Sequence, residues 1–341
     1  MTPPSSTLRN GAHNCAIYIS GGIGDGVLYM VFAKALAEQT GGTVSLLMTQ
    51  NESAQELFRA QPYVREVISL RSENQLRGWE RITRVRQILV KQRYDALFLF
   101  TVRAHMAMAA YLAGIPQRAA CVRMHQPQLA ALLTDWVWVR RKGTPHPDFY
   151  TWLPPLFAKA GYQFSPTYPS LFCHPAATDK ALLFCDEKSR TIGFGLSGSN
   201  PSKRYGASAF AEVARILHER DAGLRFVLVG GSDVRHDAQE IRARVPPSVV
   251  ILDATQQTPG LCESQALVAC CSVFVSNDSM GLHIAVAHEI PTIGLFGATP
   301  PLRYAPWLHA IKAERDGDMT TIAPEIVAEA VWKCLDVPGG R

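Results

Sequence analysis

The sequence predicts an α/β protein made of two doubly wound domains, each with a parallel sheet. Two observations carry that expectation. Short apolar runs rich in β-branched residues alternate with segments of helical periodicity on both sides of a Pro- and aromatic-rich stretch, the pattern of strands joined by crossover helices. The chain is also 341 residues long, more than one ordinary hydrophobic core supports, and its 47% hydrophobic and 18% charged residues are a globular composition. The expected layout is a flexible tail over 1–13, a first domain over 14–170, a second over 171–323, and a final helix in 324–341 that crosses back to the first domain.

The elements follow in order. Cys15 to Ser20 is an apolar run that stops at Gly21-Gly22-Ile23-Gly24-Asp25-Gly26, after which Val27 to Gln39 has helical periodicity. This reads as a strand, a glycine turn and a helix. Strands are then expected at Thr43–Thr49, Val67–Leu70 and Ala96–Phe100, and helices at Ser53–Ala60, Gln75–Lys91 and Arg103–Ala113. From Arg140 to Pro169 the alternation lapses into Pro and aromatic residues, with one short helix around Leu156–Ala160, and this segment reads as the bridge between domains. Alternation resumes with strands Thr191–Leu196, Arg225–Val229, Val249–Leu252, Val273–Ser276 and Thr292–Phe296. The helices among them are Ala207–Glu219, Val234–Ala243, Ser264–Ala269 and Leu282–His288, and Pro324–Leu335 comes last.

Residues 1–13 contain Pro, Ser and Asn but no apolar run, unlike a signal peptide, and no uncharged apolar run of about 18 residues occurs that would span a membrane. The eight cysteines contain no CxxC pair and sit mostly in apolar runs, so reduced thiols in a cytoplasmic protein are expected. Charge is uneven. Residues 1–150 hold 17 Lys and Arg against 10 Asp and Glu, and residues 151–341 hold 17 against 19. A first half at +7 beside a second at −2 fits an anionic partner such as nucleic acid, an acidic lipid surface or a phosphorylated glycan. Arg77, Arg81, Arg84 and Arg86 at helical spacing read rather as a solvated helix face.

Three strand-end turns carry the chemistry. Val275-Ser276-Asn277-Asp278-Ser279-Met280-Gly281-Leu282-His283 is a strand running into a helix, a turn that points backbone N–H groups at one spot and suits a phosphate. Asp278 is placed to accept from sugar or ribose hydroxyls, Ser279 and the Gly281 amide to face phosphate oxygens, and His283 either to donate to phosphate or to pack. Gly195 to Arg204 is a second such turn, with Gly198, Ser199 and Asn200 before the cations Lys203 and Arg204. Those cations read as neutralising a diphosphate leaving group or as an exposed pair before a helix. Gly230-Gly231-Ser232 either touches a nucleoside or closes a loop. Two phosphate-suited turns in one half suggest a diphosphate ligand. In the first half, Asp25 reads as a general base or as a helix cap. No Walker lysine motif or HExxH is present, and His125, His146 and His174 lack the spacing of a metal site.

At these residues the chain resembles the glycosyltransferase family of bacterial heptosyltransferases that build the lipopolysaccharide inner core. The resemblance rests on Gly24-Asp25, on Lys203-Arg204-Tyr205, on Asn277-Asp278-Ser279 with His283, and on Leu295-Phe296-Gly297-Ala298-Thr299-Pro300-Pro301 followed by Pro306-Trp307. It departs from the family at Met280, where the family usually has glycine.

The resemblance implies two facing Rossmann-like domains, the GT-B arrangement, with the acceptor on the first and a nucleotide-diphosphate sugar on the second. It implies an inverting transfer with no metal and no cofactor, in which Asp25 is the base and Lys203 serves the donor phosphates. Gly198, Ser199, Asn200, Arg204, Gly230, Asp278, Ser279, Gly281 and His283 are expected to bind the donor. Gly24, Arg103, His105, Arg118 and Arg123 are expected to meet an anionic glycan or glycolipid acceptor. ADP-heptose is the expected donor and a lipopolysaccharide core or related glycan the acceptor, at the inner face of the cytoplasmic membrane and without nucleic acid. A nucleotide-sugar epimerase and a catalytically silent nucleotide-sugar-binding protein are the rival readings.

Overall fold

The computed structural model describes residues 14–100, 102–139, 149–165, 167–185, 190–256 and 260–336, so the expected tail lies outside the described residues. The chain divides into two compact units between Thr167 and Tyr168. The first runs β1 (Cys15–Ile19), α1 (Ile23–Gln39), β2 (Val44–Met48), α2 (Glu52–Arg59), β3 (Val64–Ser69), α3 (Gly78–Gln92), β4 (Ala96–Leu99), α4 (Ala104–Leu112), β5 (Gln117–Arg123), β6 (Asp135–Val139) and α5 (Phe149–Ala160). Its six strands pair in parallel in the order β3-β2-β1-β4-β5-β6. β1, β2 and β4 are buried along their whole length, as central strands covered by helices on both faces must be.

The second unit runs α6 (Pro175–Leu182), β7 (Thr191–Gly195), α7 (Ala207–Arg220), β8 (Arg225–Val229), α8 (Arg235–Arg244), β9 (Val250–Asp253), α9 (Leu261–Ala269), β10 (Val273–Asn277), α10 (Met280–Ala287), β11 (Thr292–Phe296), β12 (Leu308–Lys312) and α11 (Pro324–Leu335). Its sheet, also parallel, has the order β12-β11-β10-β7-β8-β9. Counted from β7, this is the strand order of the first sheet. In each unit the winding reverses between two neighbouring central strands, β1 and β4 in the first and β7 and β10 in the second. A crevice opens at the carboxyl ends of such a pair, and ligands of doubly wound sheets bind there.

Several expectations are corrected. The first helix begins at Ile23, not Val27, so Gly24 and Gly26 lie inside its first turn. Gly26 has a packing reason to be glycine, since a β-carbon there would stand 2.7 Å from the Phe58 ring of α2. The segment read as a bridge contains α5, which buries Leu153, Leu156 and Phe157, with Phe157 against Phe98 of β4 at 5.3 Å between ring centroids. It belongs to the first unit, while residues 140–148 lie outside the described residues. Pro154 and Pro155 inside this helix remove two backbone donors and mask its length in the sequence. β5, β6, β12 and α6 were not expected. The final helix, expected to cross to the first unit, sends Val327, Ala328 and Val331 into the second unit's core beside α7. All eight cysteines are in the thiol form, with no disulfide between them. Among the described residues no helix is long and apolar enough to cross a membrane.

Candidate active site

The switch point of the second unit gathers most of the expected donor-binding residues. β7 ends at Gly195 and β10 at Asn277, side by side through the pairing of Gly195 with Ser276. This close approach needs small residues: a β-carbon on Gly195 would stand 2.9 Å from the buried Phe274 ring. Past β7 the chain forms the loop Leu196 to Asn200 and a short 3-10 turn, Pro201–Lys203, capped by Asn200 accepting from the Ser202 amide at 3.1 Å.

Asn277 is fully buried and staples both ends of that loop. Its Nδ2 donates to the Leu196 carbonyl at 2.8 Å, and its Oδ1 accepts from the Tyr205 amide at 2.9 Å. The 3-10 turn also presses its Ser202 carbonyl to within 2.6 Å of where a Gly297 β-carbon would be. Loop, β10 and the turn after β11 are thereby locked together.

The lock fixes a charged pair. Lys203 Nζ donates to Asp278 Oδ2 at 2.6 Å, and Thr299 Oγ1 donates to the same oxygen at 2.6 Å. Both charged side chains are largely shielded, at 22% and 12% exposure, so the ammonium is held in one place by charge and by a second hydrogen bond on its partner. Asp278 Oδ2 is thus occupied from within the protein rather than waiting for a sugar hydroxyl. Ser279 caps α10 by backbone geometry without a side-chain bond, which leaves the amides of Met280, Gly281 and Leu282 without partners from the helix ladder. These amides are the anion-suited feature of the turn.

Arg204 is committed elsewhere. Its Nε donates to the Gly198 carbonyl at 3.1 Å and its Nη2 to Asp233 Oδ2 at 2.8 Å, with Asp237 at 4.0 Å. It ties the loop to the start of α8 instead of standing as a second open cation. Gly230 lies against this loop, where a β-carbon would be 3.2 Å from Ser197 Oγ. Ser199 and Asn200 are exposed at its tip. His283 is buried on α10 and hydrogen-bonded through Nδ1 to the Tyr304 hydroxyl at 2.7 Å. Burial is the main cause that lowers its pKa to about 4, Asp278 pulls it up and Lys203 pushes it down, so the ring is neutral at pH 7.

In the first unit, Asp25 lies in the first turn of α1, exposed, at the carboxyl end of β1. The turn before it needs Gly21, whose φ of 123° is a left-handed-side conformation and whose β-carbon would come within 3.1 Å of Asp25 Oδ2. The helix N-cap is Gly22, so Asp25 is not the cap residue. Gly24 is half-buried in the same turn. Arg103 directly precedes α4 after β4, and His105 is the second residue of that helix, so both share the switch-point edge with Asp25. Arg123 is exposed at the carboxyl end of β5.

Arg118 is not brought to that edge. It lies near the amino end of β5, with Nε donating to the Leu132 carbonyl at 2.7 Å, Nη1 to the Ile115 carbonyl, and its guanidinium over the Tyr111 ring. A parallel strand separates its two ends by its full length, so a residue at the amino end is presented away from the ligand edge.

Two sheets of this strand order, with a locked lysine and an anion-suited helix start at the second switch point, define a doubly wound α/β protein, and its fold matches that of GT-B heptosyltransferase structures. The sequence model of glycosyltransferase family 9 (heptosyltransferase) matches residues 82–324, well over half of the chain, and the chain belongs to that family. Lipooligosaccharide heptosyltransferase 2 of Haemophilus influenzae is 32% identical over 108 residues, a match spanning 31% of this chain and 30% of that protein. Among solved structures, E. coli ADP-heptose LPS heptosyltransferase II aligns at a TM-score of 0.76 and 18% identity, covering 94% of this chain and 98% of its own. E. coli heptosyltransferase WaaC with ADP-2-deoxy-2-fluoro heptose aligns at 0.72 and 14%, covering 94% and 99%. A UDP-GlcNAc 2-epimerase from Methanocaldococcus jannaschii aligns less well, at 0.56 and 9%, covering 95% and 93%.

Sequence reasoning missed Asn277 as the staple, Thr299 as the second donor to Asp278, and Tyr304 as the partner of His283. Asn277 and Thr299 stood inside quoted motifs, and their adjacency to polar site residues was the available signal. Tyr304 had none.

Proposed function

We propose that this glycosyltransferase is an inverting, metal-independent enzyme that moves a heptose from ADP-heptose to a hydroxyl of a lipopolysaccharide core or related glycan. The observation that carries the proposal is Lys203 held 2.6 Å from Asp278 beside the open amides of α10, at the second unit's switch point. A sugar diphosphate there would set its phosphate oxygens against the ammonium and the amides. The acceptor hydroxyl oxygen attacks the anomeric carbon from the face opposite the leaving group, and its proton passes to Asp25. The carbon–oxygen bond to the diphosphate breaks, with its electron pair staying on the phosphate oxygen. Lys203 then offsets the charge that builds on the leaving group, a contribution worth about 100-fold or more in rate. The ADP-heptose assignment draws support from the family and from the heptosyltransferase structures described above. A peripheral site at the cytoplasmic membrane face belongs to the same reading, supported by the positive charge of residues 1–150.

Replacing Asp25 by Asn tests the chemistry. Transfer from ADP-heptose to a heptose-truncated lipooligosaccharide should fall by about 1,000-fold or more while ADP affinity is kept. Unchanged transfer removes Asp25 as the base, and a wild type without turnover favours a silent binding protein. Calorimetry with ADP-, UDP- and GDP-sugars tests the donor, and equal affinities would end the ADP-heptose assignment. A chelator should leave the rate unaltered. Conversion of a UDP-sugar without acceptor would point to an epimerase.

A further inference from the structure

Tyr304 and His283 meet inside the second unit, each at 7% exposure. The Tyr304 hydroxyl stands 2.7 Å from His283 Nδ1, and the two rings stack with 5.8 Å between centroids and 28° between planes. Stacking and hydrogen bond together hold the imidazole in one orientation. They also bear on where its hydrogen sits. A neutral imidazole carries one ring hydrogen, on Nδ1 or on Nε2. His283 is neutral at pH 7, because burial above all lowers its pKa to about 4, with Asp278 raising it and Lys203 lowering it. Of the two partners the phenol is the more acidic donor and the imidazole nitrogen the stronger acceptor. The 2.7 Å separation is typical of an O–H donor and at the short limit for an N–H donor. The hydrogen in the bond therefore belongs to Tyr304, Nδ1 accepts it, and the ring's own hydrogen is on Nε2.

Nε2 is the nitrogen that a ligand can reach. Among the described residues it has no hydrogen-bond partner, and it is not one of the polar atoms sealed from solvent. His283 is the fourth residue of α10, and the side chains of a helix lean toward its amino end. The ring therefore leans over the first turn, where the amides of Met280, Gly281 and Leu282 are open. The tautomer decides the sign of what happens there. An Nε2–H attracts an anion, whereas a bare Nε2 turns a lone pair toward it and repels it.

We propose that Tyr304 is a positioning residue: its hydroxyl donates to His283 Nδ1, fixes the ring hydrogen on Nε2, and so makes the ring a hydrogen-bond donor to the diphosphate of the nucleotide sugar, beside the open amides of α10. The inference rests on the reading that this diphosphate occupies the second unit's switch point. Tyr304 itself touches no phosphate. A charged imidazolium would compete with Lys203 for Asp278 and repel the ammonium, whereas the neutral ring adds a donor and leaves that ion pair intact.

The test uses the full chain labelled with 15N-histidine, the His283 ring signals being assigned by their loss in H283F. At pH 7 the wild type should show a protonated Nε2 and a bare Nδ1. ADP should shift the Nε2 signal saturably, and adenosine, which lacks the diphosphate, should not. Y304F should let Nδ1 take the hydrogen in a measurable share of molecules and weaken ADP about ten-fold, with adenosine affinity kept. H283F should cost at least as much ADP affinity, and Y304F added to it should cost nothing further, because Tyr304 acts through the ring. A protonated Nδ1 in the wild type overturns the proposal. So does a Y304F variant with the wild-type tautomer, with unchanged ADP affinity or with equal losses for ADP and adenosine, and so do additive losses in the double variant. If H283F fails to fold by circular dichroism, H283Q assigns the signals and Y304F decides. A wild type that binds no ADP sinks the donor reading, and the phosphate role with it, while the ring signals still decide whether Tyr304 sets the tautomer. ADP binding with a protonated Nδ1 overturns the positioning role alone.

Discussion

Asn277 shows how one buried amide can hold a site that it never needs to touch. Its two hydrogen bonds satisfy a backbone donor and a backbone acceptor that sit 72 and 81 residues away in the chain. Replacing it by Ala leaves both unpaired in the interior, and about 2–4 kcal/mol of stability should be lost, read as a lower urea midpoint. Because the same bonds shape the Lys203 loop, ADP affinity should fall along with stability. His283 and His288 give a second expectation. Burial is the main cause that lowers each to about 4, while an unfolded histidine titrates near 6.5. Between those values the unfolded chain binds protons that the folded chain refuses. Stability from these groups is therefore complete above about pH 6.5 and is lost as pH falls toward 4. Urea midpoints should drop between pH 7 and pH 4.5, and H283Q should flatten part of that slope; a level profile in wild type would contradict the buried, neutral rings. Asp278 and Ser279 were legible from their place after an apolar run. The internal partners of Asp278 were not, because Thr299 and Lys203 meet it only across the folded sheet.

At the scale of elements, glycine contacts decide how the loops seat. Gly297 follows β11, and a β-carbon there would meet the Ser202 backbone carbonyl at 2.6 Å. Gly297→Ala must push the 3-10 turn that carries Lys203, so kcat/KM should drop about ten-fold or more with the overall fold kept, as measured by transfer kinetics beside circular dichroism. A variant with wild-type kinetics would show that this packing does not position the lysine. The strands and helices with strong patterns were readable, and β8, β11 and α11 have the expected boundaries. β5 was not, since its Ala119, Ala120 and Cys121 carry little intrinsic strand preference and become a strand by pairing with β4 on one side and β6 on the other. α5 was seen only in its last turns because two prolines interrupt it, and its burial comes from packing on β5 and β6.

At the scale of the molecule, the two units repeat one strand order with different equipment at their switch points. The first carries a carboxylate in α1, with Arg103 and His105 at the start of α4, and the second carries a locked lysine and a helix start suited to phosphate. If the donor binds as proposed, ADP at about 100 times its Kd should protect amides of the second unit against hydrogen exchange by up to about 2.7 kcal/mol, concentrated in the β7 and β10 turns. Protection centred on the first unit would place the nucleotide wrongly in this account.

Taken alone, the amino-acid order determined the alternation of strands and helices, the two doubly wound halves, and the turns where chemistry belongs. Hydrophobic period and glycine turns are local properties and survive being read one residue after another. The tertiary structure alone decided which polar groups in those turns face one another. It sent Arg204 to Asp233 and Lys203 to Asp278, and turned Arg118 away from the ligand edge. Such pairings depend on how distant segments pack, and no local pattern encodes them.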